Sequence, residues 1–588
     1  MIKLSKKDNY PWYKFYRDVP RHLEYPDGSM VEIIASTALK YPHNYAYQYF
    51  NNKCTYKEFM EKIEACARGL KTLGVKEGDV VSICMPNTPQ AITMFYAVNM
   101  VGAISNMIHP LSSEKEIEMY LNKSKSTVIF TLDMNYKKVI NIINNTKVTK
   151  VIIGSAGDDL KGLKKTLYSI FNADITKAIK KIEAVFLKAF RNREVLSYKK
   201  FIQKGNSYYE DVWVSRKGSD PAVILYSGGT SGVPKGILLS NLNFNALARQ
   251  AHLMCDPAKA GDSILSIMPI FHGFGLGVCI HTCLGIGMKC ILIPKLDSKK
   301  LVRLIRKNRP NFLVGVPTLF EAITKNKGIK EGDFSSVHTI VSGGDMMDEE
   351  NLKRYNEFFA KYGSKAKIRI GYGLTEAVAA TCLCPRNGHR PNSIGIPFPD
   401  VIYKIVEIGT TKEVKPNQDG EICICGPTVM IGYLDEEEET KKTLKTHKDG
   451  RVWLHTGDIG SMDEDGYVYF KSRLKRIIIT SGYNVYPSYI ENIINKHEYV
   501  TSCSVIGVPD SYRGQRVKAY VVLKKEVKIS DEVEKEIKAH CQKYIAKYAM
   551  PREFEFRKEL PKTLVGKIAY TVLEAEEKAK AAEAKTEK

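Results

Sequence analysis

The pattern of apolar and polar positions divides the chain into stretches of different period. Phe59, Ile63, Cys66 and Leu70 recur at helical spacing. The segment Thr-Tyr-Lys-Glu at 55–58 ahead of them is a capping box, in which Thr55 accepts a backbone N–H and Glu58 reaches back. Gly74 can close that helix. The apolar run 80–84 predicts a short buried strand, and Thr88 followed by Pro89 predicts an N-cap with proline at the first helical position. Such alternation predicts α/β layers. The most apolar stretch, 263–294, contains Pro269, His272, His281, Lys289 and several glycines. It is long enough for a membrane span, but buried strands and a buried helix fit it better.

Between 156 and 193 the pattern changes. Leu160, Leu163, Leu167, Ile170 and Phe171, and later Ile179, Ile182, Val185, Phe186 and Phe190, recur at helical spacing, with lysines on much of the other face. A basic amphipathic helix can lie on an anionic membrane. It can also pack on its own domain, which is the favoured reading. After 473 a smaller unit begins, with strands expected at 501–508, 519–523 and 553–556 and a helix at 531–548 behind Ser530 as N-cap. The tail 574–588 is almost only Ala, Glu and Lys. It favours helix but offers little to bury, so it is expected to be frayed or disordered. The organisation expected is a large domain over 1–474 with a basic insert at 156–193, a small domain over 475–573 and that tail.

Length supports this division, because 588 residues exceed what one hydrophobic core usually spans. The formal charge of +23 alone would point to nucleic acid or an anionic membrane. Lys and Arg are spread along the chain, however, and no basic patch is interleaved with aromatics, so nucleic acid is not an expected partner. The charge reads as solvated surface that also favours polyanionic substrates. The 13 cysteines are scattered, with C-x-C but no C-x-x-C spacing. Reduced cysteines in a cytoplasmic protein explain them better than zinc or disulfides. Residues 1–16 lack an apolar core, so no signal peptide is expected.

The strongest local chemistry is Tyr-Ser-Gly-Gly-Thr-Ser-Gly-Val-Pro-Lys-Gly at 226–236, between the apolar runs 222–225 and 237–239. Gly228, Gly229 and Gly232 let backbone N–H groups approach phosphate oxygens. Ser227, Thr230 and Ser231 add hydroxyls, and Lys235 adds a charge. Pro234 before the lysine, and no Ser or Thr after it, separate this from a Walker A loop. By itself the segment reads equally well as a Gly/Ser hairpin. Downstream, Gly-Tyr-Gly-Leu-Thr-Glu at 371–376 sets an aromatic ring, a hydroxyl and a carboxylate side by side. A carboxylate can hold Mg²⁺ beside phosphates, and a ring can stack on a base. Trp-Leu-His-Thr-Gly-Asp at 453–458 offers a carboxylate for ribose hydroxyls. The runs 469–476 and 482–487 follow, and Pro-Lys-Thr-Leu-Val-Gly-Lys at 561–567 closes the set.

These segments, in this order, resemble the core motifs of the adenylate-forming superfamily: acyl–CoA synthetases, peptide-synthetase adenylation domains and firefly luciferase. The likeness runs from about Tyr10 to Leu573. Closest are long-chain fatty acid–CoA ligases, by the Gly228–Gly229 pair, by Ser-Gly-Tyr-Asn-Val-Tyr-Pro at 481–487 and by the basic insert. The resemblance implies a mixed α/β fold, with a large multi-sheet N-terminal domain and a small mobile α+β C-terminal domain. It implies ATP, Mg²⁺ and CoA, a carboxylic acid as substrate, and two half-reactions through an acyl-AMP.

By that resemblance the loop from Ser227 to Lys235 holds the β- and γ-phosphates, Thr375 contacts the α-phosphate and Glu376 ligates Mg²⁺. Gly343, Gly344 and Asp345, with Gly371, Tyr372 and Gly373, border adenine and the carboxylate. Asp458 and Arg473 take the ribose. Lys475 is the hinge and Lys567 the catalytic lysine, while Gly482 and Tyr483 belong to the CoA step. His272, in Pro-Ile-Phe-His-Gly-Phe at 269–274, matches a residue that moves between half-reactions; a buried structural histidine is the alternative. Arg476, Tyr489 and Ala569–Tyr570 depart from the family pattern. An acyl carrier protein as acceptor, an aryl acid as substrate, a homodimer and peripheral membrane contact through 156–193 stay open.

Overall fold

The computed structural model describes residues 9–160, 177–178, 193–227, 234–255, 258–480, 483–510, 513–563 and 568–586. The expected amphipathic insert lies almost wholly outside them. Two compact units emerge: one comprises 1–403, 424–454 and 465–467, the other 404–423, 455–464 and 468–588. The second unit therefore also takes segments ahead of the 474/475 boundary read from the sequence.

The first unit is built on two large sheets. One has the strand order 396–397, 380–383, 368–373, 339–342, 312–315, 263–266, 289–292, 45–49, 52–55. Its six strands from Ile368–Gly373 to Tyr45–Tyr49 run parallel, with antiparallel pairs at both edges. The other runs 432–433, 235–240, 221–227, 104–107, 80–84, 128–132, 150–154, 194–197. It is parallel from Pro221–Ser227 onward and antiparallel at the 432–433 edge. Parallel strands need both faces covered, and they read as unbroken apolar runs. Val128–Leu132 is buried at every position.

The capping box at Thr55 forms as expected and starts helix Tyr56–Thr72. Thr88 caps Pro89–Met100, in which all twelve residues are buried. Apolar residues lie all round it, and its buried Gln90, Thr93 and Asn99 each make hydrogen bonds. Helix Asn241–Met254 touches strands of both sheets, and the apolar stretch 263–294 becomes strand Ser263–Ser266, the helical run Phe274–Ile286 and strand Lys289–Leu292. Among the described residues no helix is long and apolar enough to cross a membrane.

The second unit carries the hairpin Val500–Asp510 and Gly514–Leu523, joined by Glu553–Phe556, Ile478–Thr480 and Tyr483–Val485. Alternation along these strands makes two cores on opposite faces. Val505, Val517, Ala519 and Val521 pack with helices Pro487–Asn495 and Asp531–Tyr544. Ile506, Val508 and Tyr520 pack with Leu560 and Leu573.

This second core corrects the expectation for the tail. Residues Tyr570–Thr586 form a helix. Leu573 is fully buried, and Glu577 accepts hydrogen bonds from Tyr520 (2.8 Å) and Lys518 (3.1 Å). Lys518 lies on the same sheet face and also pairs with Glu553 and Glu555. The Ala/Glu/Lys composition favoured a helix but did not show what it packs on, because the anchors are one leucine and one glutamate whose partners Tyr520 and Lys518 lie 57 and 59 residues away in sequence.

Candidate functional site

In a parallel sheet every strand ends at one edge, and ligands gather beyond those carboxyl ends. Strand Thr339–Ser342 leads into Gly343, Gly344 and Asp345. Strand Ile368–Gly373 carries Gly371, Tyr372 and Gly373. The segment after Ser263–Ser266 brings in His272. Backbones meet closely here. A Cβ on Gly343 would lie 3.3 Å from the Gly371 carbonyl, and one on Gly273 only 1.6 Å from the Val378 carbonyl oxygen.

Thr375 opens the short turn Thr375–Ala377 and is buried. The turn ends on Val378 at φ +64°, a left-handed conformation that strains a β-branched residue. It rests on strands Pro221–Ser227 and Lys235–Ser240 of the other sheet. The turn that carries Thr375 and Glu376 thus lies against the strands that end on Ser227 and begin with Lys235. Ser227 pairs directly with Lys235; Gly228, Gly229, Thr230, Ser231 and Gly232 lie outside the described residues.

Two residues that the motif reading missed complete this corner. Tyr433 donates a hydrogen bond to Glu376 (3.1 Å), and its ring lies 4.8 Å beneath the Lys235 ammonium. Burial, reinforced by the Glu376 carboxylate, raises the Tyr433 hydroxyl well above its ordinary pKa, so it stays a donor. Glu439 pairs with Lys235 at 2.5 Å, and that bond, with one from Lys442, pulls its carboxyl down to about 2. Neither residue carries a sequence signal, since both are about 200 positions from Lys235.

Behind the rim lies an apolar cavity with an open mouth. Gly343, Gly371, Tyr372 and His272 border it, and it reaches past Val341 and Val314 to Phe312 and Ile264. Val341 pairs with Val314, and Phe312 with Thr339. From Gly343 to the level of Phe312 is four residues, about 13 Å at roughly 3.3 Å per residue. The walls are apolar apart from a few groups. Thr282 spends its hydroxyl on the Gly277 carbonyl (2.8 Å), and burial lowers the pKa of His252, so the ring is neutral at pH 7.

His272 is half-buried on the cavity wall, with Nδ1 accepting from the Phe274 N–H at 3.4 Å. The buried structural histidine of this region is His281, held between Tyr96 (3.2 Å) and Asn245 (2.9 Å). Asp345 is exposed, takes the Met346 N–H at 2.9 Å and does not line the cavity.

The second unit holds the remaining candidates. Asp458 and Arg473 face each other across the pair Val452–Met462 and Val468–Arg473, with Arg473 Nε 3.3 Å from Asp458 Oδ1. Asp458 is buried, and its N–H donates to the Thr456 hydroxyl at 3.1 Å. Lys475 is exposed in the turn Leu474–Arg476. Arg476, one of the departures from the family pattern, pairs with Glu491 at 2.5 Å and stacks 4.5 Å over Tyr570, another departure. Tyr483 begins strand Tyr483–Val485, while Gly482 and Lys567 lie outside the described residues.

A family model described as AMP-binding enzyme matches residues 34–434, and one described as AMP-binding enzyme C-terminal domain matches 489–567. A long-chain-fatty-acid–CoA ligase of Bacillus subtilis is 33% identical, over 95% of this chain and 96% of its own length. One of Salmonella typhimurium is 31% identical, over 97% and 98%. The crystal structure of ATP-bound MatB from Rhodopseudomonas palustris superposes with TM-score 0.78 at 23% identity, over 93% of this chain and 98% of that one. At that identity the likeness speaks for the fold alone.

Proposed function

This chain belongs to the AMP-binding enzyme family, and from that premise we propose that the apolar cavity behind Tyr372 takes the tail of a medium- to long-chain fatty acid, its carboxylate at the rim. The chain is an ATP-dependent acid–thiol ligase of the acyl–CoA type. A carboxylate resists a thiol, because oxide would have to leave. The acid's oxygen therefore attacks the α-phosphorus of ATP, the bond to the β-phosphate oxygen breaks, and pyrophosphate departs. The CoA thiol then attacks the acyl carbonyl, loses its proton, and AMP leaves.

The cavity carries the substrate reading. An uncharged, apolar space gains from each substrate methylene it covers, about 0.8 kcal/mol per CH₂. It offers no ionised group for a second substrate charge.

The residues divide the work as follows. Ser227 and Lys235 take polyphosphate charge, and Thr375 the α-phosphate; adenylation of this kind relies on positioning and electrostatic stabilisation. Glu376 would hold Mg²⁺, which supplies charge neutralisation on the phosphates. A hard carboxylate oxygen fixed by Tyr433 beside Lys235 suits an ion usually bound by one or two carboxylates plus substrate phosphates. Gly343, Gly344, Gly371, Tyr372 and Gly373 border adenine and the carboxylate. Asp458 and Arg473 take ribose, and their fixed cross-strand pairing supports that role. Lys567 neutralises charge between carboxylate and α-phosphate. Lys475 is the pivot between half-reactions, Gly482 and Tyr483 serve the CoA step, and His272 changes position with substrate. The basic segment 156–193 is a candidate for peripheral membrane contact.

The test is acid-dependent AMP formation with ATP, Mg²⁺ and CoA, across acids from acetate to oleate plus benzoate and coumarate. AMP and acyl–CoA rising with chain length support the reading. A maximum at benzoate or coumarate would overturn the assignment of the cavity. Pyrophosphate exchange without acyl–CoA would move the acceptor to a carrier protein.

A further inference from the structure

The Lys235–Glu439 contact has a built-in position. Gly432 and Tyr433 pair with Leu238 and Ile237, Leu434 N–H donates to the Gly236 carbonyl (2.8 Å), and Tyr433 N–H donates to the Thr440 hydroxyl (2.9 Å). Helix Glu437–Thr443 follows directly. The segment is thus zipped onto the strand that bears Lys235, and Glu439 lands on the Lys235 ammonium. At the same corner Lys123 bonds Glu436 and reaches the Pro234 carbonyl (3.4 Å), and Lys125 pairs with Asp435 (2.6 Å).

The pair is also built to exchange. Glu439 is more than a third exposed and keeps a second cation, Lys442, at 2.9 Å. It is not left unpaired when Lys235 leaves. The Tyr433 ring lies 4.8 Å beneath the Lys235 ammonium as a second, neutral partner.

We propose that Glu439 is the resident counter-ion of Lys235, displaced by the polyphosphate of ATP or by pyrophosphate, so that it tunes affinity for those two ligands and not for AMP. The inference rests on the reading of Lys235 as a polyphosphate contact. AMP has no phosphate beyond the α position and gains nothing from the exchange. Glu439 is therefore a positioning residue that biases the site toward releasing pyrophosphate after the first half-reaction.

Isothermal titration of the full chain with ATP, pyrophosphate and AMP, without acid or CoA, tests this. Glu439→Gln should bind ATP and pyrophosphate about two- to fivefold tighter, the scale of an exposed ion pair, with AMP unchanged. Glu438→Gln removes an equal charge one residue away and should change nothing. In a Lys235→Ala background the Glu439→Gln gain should vanish. Equal shifts for AMP, no shift, or weaker ATP binding in Glu439→Gln would overturn the proposal. If Lys235→Ala alone leaves ATP and pyrophosphate binding intact, the reading of Lys235 fails, and the proposal with it.

Discussion

Gly273 and Val378 show how little room a single residue has at this site. The Val378 carbonyl occupies the place of a side chain at 273, and the strained turn before it carries Thr375 and Glu376. Gly273→Ala must push that backbone aside. Since a 1 Å misplacement can cost about 10²-fold in rate, acid-dependent ATP–pyrophosphate exchange should fall on the order of a hundredfold. Exchange near the wild-type rate would show that the turn absorbs the shift. In the cavity, Val314→Trp fills the space halfway down. It should move the acid preference toward shorter chains with little change in the KM for ATP, measured by the same exchange across the acid series. His281 gives a pH signature. Burial lowers its pKa to about 3, whereas the unfolded chain binds its proton near the ordinary 6.5. Its folded pKa is depressed, so stability is full above pH 6.5 and falls as pH drops toward about 3. Denaturant midpoints measured from pH 7 to 4 should show this loss in the native chain and less of it in His281→Gln.

At the scale of elements, helix Tyr570–Thr586 is held by a face rather than by its composition. Burial opposes ionisation of Glu577, but hydrogen bonds from Lys580, Tyr520 and Lys518 outweigh it and bring the carboxyl down to about 2. A depressed carboxyl stabilises the fold above its ordinary value of 4.5 and loses that contribution as pH falls toward about 2. Glu577→Gln leaves Lys518 with fewer counter-charges and should cost about 1–3 kcal/mol at pH 7, read by urea denaturation. The difference from wild type should shrink at acid pH. Much of the element pattern was legible beforehand. The strand at 80–84, the caps at Thr55, Thr88 and Ser530 and the strand at 553–556 follow from local periodicity and turn chemistry. The packing of the last helix did not, because its two anchors act across the sheet.

For the whole molecule, the two half-reactions can be separated by substitution. Lys567→Ala should abolish adenylate formation and leave thiolysis of a supplied acyl-adenylate mostly intact; equal loss of both would contradict the assigned role. Lys475→Pro should spare adenylation and block thioester formation, and unchanged overall turnover would remove Lys475 as a pivot. The sequence alone determined the α/β class, the family and the order of the motifs, because a glycine-rich turn, a Thr-Glu pair and a Thr-Gly-Asp run are local and their chemistry travels with them. Only the tertiary structure decided which motifs meet. Ser227 and Lys235 belong to one sheet and Thr375 and Glu376 to the other, and no periodicity records that the turn Thr375–Ala377 rests on the hairpin. The same holds for the cavity, whose walls come from strands and helices scattered between 251 and 398. Tyr433 and Glu439 were silent for the same reason. A hydroxyl or carboxylate becomes part of a site through the groups it faces, and those are set by sheet pairing across some 200 residues.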